Sequence, residues 1–366
     1  MKKVLWALAI IAVIVIVVIS SRTGSSMGSL KISTIIPLSG LGAFYGEELK
    51  NGMELANVGH KLDIIHEDSA TNPALGASAM SKIMAGANKD LVVVAFSSVA
   101  RAVTPMAEGA KIPTLQTIVS ASKIAAQSPY IFRYFTSGEQ EAPIDADIAV
   151  KNLNAKKIAI IYSNDEYGLS YYNAFKERVE SYGIKLVSEE MYGSSDTDFR
   201  SQLTKIGSYN PEVIYIVTMN KGMPTILKQI KDLNIKSALL TNWVLEPQSV
   251  RDQVGALAEG VYFTTSAFDL ENGTTTLTKK FETDYEQVYR KKPSAYAAIG
   301  YDVVNILSQV QKSEADTGLD IVNKIKQLKD IKGVMGDIII NSDKEITFKL
   351  YPAQIRNGKI VTFDLK

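Results

Sequence analysis

The sequence predicts an α/β protein made of two similar lobes, each a parallel sheet covered by helices. Short apolar runs rich in β-branched residues alternate with segments that carry apolar residues at helical spacing, which is typical of parallel sheets. A strand–loop–helix pattern begins at Lys31 and again at Lys157. The chain has 366 residues, 46% of them hydrophobic, which is enough for two or three cores.

The first unit begins with a β-branched run that predicts a strand over 30–37. The pattern then predicts, in order, a loop at 40–46, a helix at 47–58, a strand at 62–65, a helix at 74–87 and a strand at 91–96. Ligands of open parallel sheets bind beyond the carboxyl ends of the strands. Side chains that follow these strands are therefore candidates for a site.

The second unit repeats the first. Lys157–Ile161 is similar to Lys31–Ile36, and each run leads to a Tyr-Gly pair, at Tyr45-Gly46 and Tyr167-Gly168. Further strands are predicted at 185–187, 213–217 and 238–240. Two such sheets facing each other form a cleft, and we expect both tyrosines at its mouth.

The last quarter of the chain is less regular. Apolar spacing predicts helices at 277–289 and 295–312. Short apolar runs at 338–340, 346–350 and 360–363 predict antiparallel strands, with a turn at Asn357-Gly358.

Composition excludes several function classes. The 40 basic and 39 acidic residues nearly balance, which argues against a nucleic-acid partner. The absence of cysteine excludes disulfides and thiolate chemistry. The two histidines, His60 and His66, are expected to flank a strand and make a poor zinc pair, so we predict no metal site. The sequence has neither a Gly-x-Ser-x-Gly elbow nor a phosphate loop, and we predict no enzyme activity.

One alternative is an NAD(P)-dependent oxidoreductase. Gly40-x-Gly42-x-x-x-Gly46 follows a predicted strand, and Glu67 and Asp68 end the next one, as in a dinucleotide fingerprint. The spacing has one extra residue before the third glycine, and Pro37 lengthens the turn. We therefore predict no cofactor.

The N-terminus has the pattern of an export signal. Lys2 and Lys3 precede an uncharged apolar run at 4–19, and 20–29 is a tether rich in Ser and Gly. No Ala-x-Ala site follows, which favours an uncleaved anchor over a cleaved signal. Residues 1–29 are thus predicted to tether an extracytoplasmic protein, in the periplasm or at the cell surface.

An ordered set of motifs resembles the branched-chain amino-acid (Leu/Ile/Val) binding proteins of ABC transporters, a type I periplasmic binding protein family. The motifs run from residue 30 to the C-terminus: Ile36-Pro37-Leu38-Ser39-Gly40, Glu67-Asp68, Ser97-Ser98, Thr104-Pro105, Ile112-Pro113, Phe132-Arg133, Asp165-Glu166-Tyr167-Gly168, Asp198-Phe199, Gly300-Tyr301-Asp302 and Asn357-Gly358-Lys359.

The resemblance implies three hinge crossings, at about 135–142, 264–269 and 344–351. One lobe then comprises 30–138 plus 268–345, and the other 139–267 plus 346–366. It also implies a monomeric solute-binding protein that takes an amino acid or other carboxylate and delivers it to a membrane permease. A ligand-binding sensor is the alternative, although the chain carries no second apolar span before Lys366.

The resemblance further implies that Ser97, Ser98, Ser120 and the backbone of Ile118 hold a ligand carboxylate. Hydroxyl and helix-start N–H groups supply donors without a full positive charge. The alternative is that these serines only cap helices.

The chain departs from the family after the strand that ends near Leu240. Family members that bind amino acids place an acidic residue there for the ligand ammonium, whereas this chain has Trp243. Either Glu246 reaches the site, or the ligand lacks an ammonium, since an unpaired buried charge is costly. Met219 stands where a tyrosine is frequent. With Trp243 it suggests a larger or flatter apolar ligand, unless Trp243 only packs near the hinge.

Overall fold

A computed structural model describes residues 28–366 except 122, 123, 125–127, 220, 269, 271–274, 311–315 and 342. The predicted signal run at 4–19 lies outside the described residues. Within the described part of the chain, no helix is long and apolar enough to cross a membrane.

The described residues form two mixed, mainly parallel sheets. The first has the order β11-β12-β13-β5-β4-β3-β1-β2. Its strands are β1 (Lys31–Ile36), β2 (Asp63–Asp68), β3 (Leu91–Ala95), β4 (Thr114–Thr117), β5 (Ile131–Tyr134), β11 (Ile331–Gly333), β12 (Gly336–Ile340) and β13 (Glu345–Thr347).

The second sheet has the order β15-β14-β10-β9-β8-β6-β7. Alternate residues of its central strands enter two separate apolar clusters, one on each face, so helices cover the sheet on both sides. Its strands are β6 (Ile158–Ser163), β7 (Ser188–Tyr192), β8 (Val213–Val217), β9 (Ala238–Thr241), β10 (Tyr262–Ser266), β14 (Leu350–Arg356) and β15 (Lys359–Thr362).

Helices join the parallel strands. The α-helices in the described residues are α1 (Ala43–His60), α2 (Pro73–Ala85), α3 (Ser97–Gly109), α4 (Gly138–Asp147), α5 (Glu166–Glu180), α6 (Arg200–Ser208), α7 (Gly222–Asp232), α8 (Gln248–Val254), α9 (Thr276–Tyr289), α10 (Ala295–Ser308) and α11 (Gly318–Lys326). A π-helical segment at Ile148–Asn152 extends α4.

In the order of the described strands, the chain passes between the two sheets three times, after β5, after β10 and after β13. The run predicted as one strand at 346–350 is split by the last passage. Its first part, in β13, pairs with β5 and β12, and Leu350 pairs with β10. The predicted lobe boundary between 345 and 346 therefore falls inside β13 rather than after it.

Three local predictions were wrong. The strand predicted at 185–187 lies at 188–192, where the polar sequence Ser-Glu-Glu-Met-Tyr is tolerated because β7 is an edge strand. Tyr45 and Tyr167 lie in the first turns of α1 and α5, not in loops. His66 lies within β2, where its Nδ1 is 2.8 Å from the Thr34 hydroxyl, rather than beyond the strand end.

Candidate functional site

A small cavity lies between the two lobes, at the carboxyl ends of the central strands. Its volume is about 60 Å³, and it adjoins an interlobe groove of about 360 Å³ that shares Tyr45, Asp165, Thr218 and Met219 with it. The cavity wall consists of Tyr45, Phe96, Ser97, Ser98, Ile118, Ser120, Phe135, Asp165, Glu166, Tyr167, Tyr171, Thr218, Met219, Asn242, Trp243, Val244 and Tyr296.

The first turn of α3 forms one end of the wall. Phe96 precedes it with a φ of +76°, which is rare for a residue with a side chain, and no side chain caps the helix. The first N–H groups of a helix lack partners inside it and carry a partial positive charge. The Ser98 hydroxyl also forms no hydrogen bond with the described part of the chain.

The loop after β4 lies beside this helix start. Ser97 does not cap α3, because its hydroxyl oxygen accepts the N–H groups of Ser120 (3.1 Å) and Ala121 (3.2 Å). Ile118 has a φ of +52°, an outlier for a β-branched residue. Such strain persists only where the surroundings fix the backbone.

Arg133 holds the loop after β4 in place through hydrogen bonds to its backbone. Its guanidinium is 2% exposed and donates to the carbonyl oxygens of Val119 (3.2 Å) and Ala121 (2.6 Å). The other edge of the guanidinium forms a bidentate pair with Glu345 at 2.6 and 3.0 Å. The buried charge of Arg133 is therefore paired, and its remaining donors hold the loop.

Aromatic rings form most of the remaining wall. The Tyr45 ring packs edge-on against the rings of Phe96 and Tyr296, with distances between ring centroids of 5.3 and 4.8 Å. Trp243, 3% exposed, packs against Phe135 at 5.2 Å and Tyr296 at 5.8 Å. The Trp243 indole N–H has no acceptor among the described residues. The contacts hold Trp243 in the wall and leave one buried donor unused.

The second lobe contributes two carboxylates to the cavity wall, Asp165 and Glu166, and both already have partners within the protein. Asp165 caps α5 by accepting the Gly168 N–H at 2.8 Å, and it also accepts the Ser163 hydroxyl at 3.0 Å. Glu166 pairs with Arg101 of α3 at 3.3 Å across the cleft. None of the described residues in the cavity wall is Lys, Arg or His.

Two further contacts tie the lobes and the wall together. The Ser170 hydroxyl of α5 donates to the Ser120 carbonyl of the first lobe at 2.6 Å. Within the second lobe, Asn242 donates to the Tyr167 hydroxyl at 2.5 Å, and that hydroxyl donates to the Thr218 carbonyl at 3.0 Å. The lobes therefore meet around the cavity, and Tyr167 is held in place.

A buried carboxyl pair lies behind the Trp243 wall. Glu141 is fully buried; it accepts the Trp243 backbone N–H at 2.6 Å and the Tyr171 hydroxyl at 2.5 Å. Asp145, one turn on in α4, accepts the hydroxyls of Tyr215 (2.8 Å) and Thr264 (2.5 Å). Burial raises the pKa of Glu141 to about 7, although its hydrogen bonds oppose this. Burial and then the charge of Glu141 raise the pKa of Asp145 well above its usual range.

Glu246 is not part of the wall. It is fully buried and accepts the Ser266 hydroxyl, while its backbone carbonyl accepts from Arg251. In this arrangement it does not reach the cavity. No cluster of three or more His, Asp or Glu side chains suited to a metal ion occurs in the described part of the chain.

The structure brings eight of the nine predicted site residues into one wall, and Glu246 is the exception. Sequence reasoning missed the other wall residues and the acid behind them. Tyr171 could have been found, because it lies four residues after Tyr167 on the same helix face. Glu141 and Tyr296 do not follow the end of a strand, and no sequence pattern marked them as part of a site.

Comparison with known proteins identifies the class. The periplasmic binding protein family matches residues 29–359, and the chain belongs to this family. Leu/Ile/Val-binding protein homolog 3 of Brucella melitensis is 26% identical over 250 residues, which cover 66% of this chain and 68% of that protein. The sequence-based prediction of a solute-binding component of an ABC transporter, and not an enzyme, is confirmed.

Solved structures confirm the fold. The substrate-binding protein of a branched-chain amino acid transporter from Streptococcus pneumoniae, in complex with isoleucine, has a TM-score of 0.81 at 22% identity, covering 92% of this chain and 100% of that one. A solute-binding protein of an ABC transporter from R. palustris, in complex with benzoate, has a TM-score of 0.81 at 20% identity, covering 92% and 96%. The predicted two-lobed α/β fold is therefore correct.

Proposed function

We propose that this protein is the extracytoplasmic receptor of an ABC importer and binds a carboxylate with an aromatic or branched apolar body and no ammonium group. The observation that carries the proposal is the cavity wall. It combines an uncapped helix start and a hydroxyl donor at one end with aromatic rings around the rest.

The uncapped start of α3 supports the carboxylate end. An anion is stabilised by the partial positive charge and free N–H groups of a helix N-terminus, and the Ser98 hydroxyl adds a donor. Ser97 serves this site indirectly, by holding the Ser120 and Ala121 backbone. Ile118 and Ser120 remain proposed contacts for the same carboxylate.

The aromatic rings support a flat or branched apolar body. Tyr45, Phe135, Trp243 and Tyr296 surround the space that such a body would occupy, and Tyr167 and Met219 extend it toward the groove. A solute-binding protein of the same fold was solved with benzoate, which combines a carboxylate with an aromatic ring.

The position of the acidic groups supports a ligand without an ammonium. Trp243 stands where an ammonium partner is expected, and Glu246 instead accepts the Ser266 hydroxyl. Bringing Glu246 into the cavity would require breaking this buried hydrogen bond and moving the segment that Pro247 stiffens.

A branched-chain amino acid is the second candidate. Asp165 and Glu166 both line the cavity, and either carboxylate could face a ligand ammonium. A protein of this fold was solved with isoleucine. Against this candidate, Asp165 already caps α5 and Glu166 already pairs with Arg101.

We further propose that the predicted lobes, 30–138 with 268–345 and 139–267 with 346–366, close on the ligand around the three crossings. The cavity of about 60 Å³ between the lobes would then widen to admit the solute, and the ligand-closed form would present both lobes to the permease. Residues 1–29 would anchor the protein at the outer face of the membrane.

Calorimetry on the full-length chain tests the ligand class. The ligands are benzoate, 4-methyl-2-oxopentanoate, leucine, isoleucine and phenylalanine. We expect the two ligands without an ammonium to bind, and Glu246→Gln to leave their affinity unchanged. Binding of the amino acids alone, weakened by Asp165→Asn or Glu166→Gln, would replace the proposal by the second candidate.

A further inference from the structure

The carboxyl of Glu141 is linked to the cavity through its wall. One oxygen holds the Trp243 backbone N–H and the other the Tyr171 hydroxyl, and both of these residues line the cavity. Glu141 itself is fully buried and does not line the cavity. One wall residue, Trp243 or Tyr171, thus separates the Glu141 carboxyl from the cavity.

The groups around Glu141 do not neutralise it. Asp145 lies one turn further along α4 and is itself an acid. On neighbouring elements, the charge of Glu141 acts on tyrosines: Tyr167 and Tyr171 of α5, Tyr215 of β8 and Tyr296 of α10. Hydrogen bonds from the Tyr171 hydroxyl and the Trp243 backbone N–H stabilise the carboxylate, but no cation is among its partners in the described part of the chain. The Glu141 carboxylate would therefore repel an anionic ligand in the cavity, and the repulsion is strong because the buried surroundings screen it little.

We propose that Glu141 takes up a proton from solvent when an anionic ligand enters the cavity, which makes ligand binding proton-coupled and selective for charge. The inference rests on the proposed function, because it requires the ligand to carry a net negative charge. In the neutral form Glu141 can still accept one hydrogen bond through each oxygen, so the wall is preserved while the repulsion is removed. Glu141 is a positioning residue that sets which charge the cavity accepts.

The sign of the pH effect follows from burial. The pKa of Glu141 stands at about 7 in the free protein, and a bound anion raises it further. Binding near pH 7 then takes up about half a proton per ligand, and affinity falls by up to about tenfold per pH unit above pH 7. A zwitterionic amino acid adds no net charge and should show a much smaller dependence.

Calorimetry of benzoate and 4-methyl-2-oxopentanoate on the full-length chain measures this uptake directly. The binding enthalpy is compared at pH 7 in buffers with different ionisation enthalpies. The slope gives the protons taken up and needs no variant. Glu141→Gln is expected to abolish the slope and flatten the dependence of Kd on pH between 6 and 8.

Asp302→Asn is the matched control. Asp302 is also fully buried, burial raises its pKa to about 6, and it accepts the Tyr134 hydroxyl at 2.8 Å outside the cavity wall. This variant should keep the ligand-linked uptake of the parent. Either acid lowers stability as pH rises from its ordinary pKa, 4.5 for Glu141 and 3.8 for Asp302, to its raised pKa in the folded protein, so pH-dependent stability alone does not separate them.

The outcomes separate the two proposals. Binding of either acid with no proton uptake overturns this inference and leaves the proposed function intact. Failure of both acids to bind overturns both. Proton uptake that persists in Glu141→Gln but disappears in Asp302→Asn would show that Asp302 takes up the proton, and this result would also overturn the inference.

Discussion

The two helices that begin at the cavity differ in how their first turns are satisfied. α5 carries its own anion, because the Asp165 carboxylate accepts the Gly168 N–H. α3 has no side-chain cap, and Phe96 precedes it in a strained conformation. A helix start favours a negative charge, and Asp165 already supplies one at the start of α5, whereas no side chain supplies one at the start of α3. The comparison teaches that the donors open to an anion lie in the first lobe and that the second lobe contributes carboxylates, whereas aromatic rings come from both lobes.

The largest expected effect comes from removing the support of the first-lobe loop. Arg133→Met should lower the free energy of unfolding by about 3–5 kcal/mol, because it leaves Glu345 charged and buried without its partner. Urea unfolding measures this loss. Arg133→Met with Glu345→Met should recover much of the stability, but not ligand affinity, because the Val119 and Ala121 carbonyls stay without their donor. Equal recovery of both would show that Arg133 does not shape the site.

Trp243→Ala tests the second-lobe wall. Loss of a central buried ring is expected to weaken binding of benzoate by about 2 kcal/mol or more, and to lower stability by about 3–5 kcal/mol. Calorimetry and urea unfolding measure the two effects separately. Phe175→Ala is the control, because Phe175 is equally buried in the second lobe but lies outside the cavity wall. The control should lose stability and keep affinity.

Ser98→Ala sharpens the contrast between the helix starts. It removes a hydroxyl donor from the first turn of α3 and should weaken carboxylate binding by about 1–3 kcal/mol, with little change in stability. Ser97→Ala should instead lower stability, since the Ser97 oxygen accepts two buried backbone N–H groups. Unchanged affinity in Ser98→Ala would place the ligand carboxylate elsewhere in the cavity.

Glu166→Gln is expected to have the smallest effect. It breaks the ion pair with Arg101 across the cleft, where the arginine side chain is 59% exposed, so its contribution to closure should be at most about 1 kcal/mol. Affinity measured at low and high salt tests this. The difference between parent and variant should shrink as salt rises, because screening weakens exposed pairs. A difference that does not depend on salt would mean that Glu166 contacts the ligand itself.

The fold was predictable because its signals are periodic and repeated. Buried strands such as β3, with five apolar residues in a row, and the repeat of Lys31–Ile36 at Lys157 are visible in the sequence alone. Edge strand β7 was misplaced because its polar residues carry no such pattern. The split at 347–350 was missed because apolar residues continue across a change of sheet.

The site was predictable where it follows strand ends and not elsewhere. Ser97, Ser98 and Ser120 come directly after strands, so topology alone brings them together. Tyr296 and Glu141 lie on helices and reach the site only through tertiary packing. Glu246 was predicted from its place after β9, but its carboxylate accepts a hydrogen bond from the Ser266 hydroxyl of β10 and does not reach the cavity.

The pairing of Arg133 with Glu345 also sets an order of events along the chain. The two residues are 212 positions apart, and β5 has β13 as one of its two neighbours in the sheet. While the chain is being made, β5 is an open edge and Arg133 has no counter-charge until the last tenth of the sequence exists. Neither lobe can complete its sheet before then, so the protein should reach its native state only after synthesis of this last part of the chain.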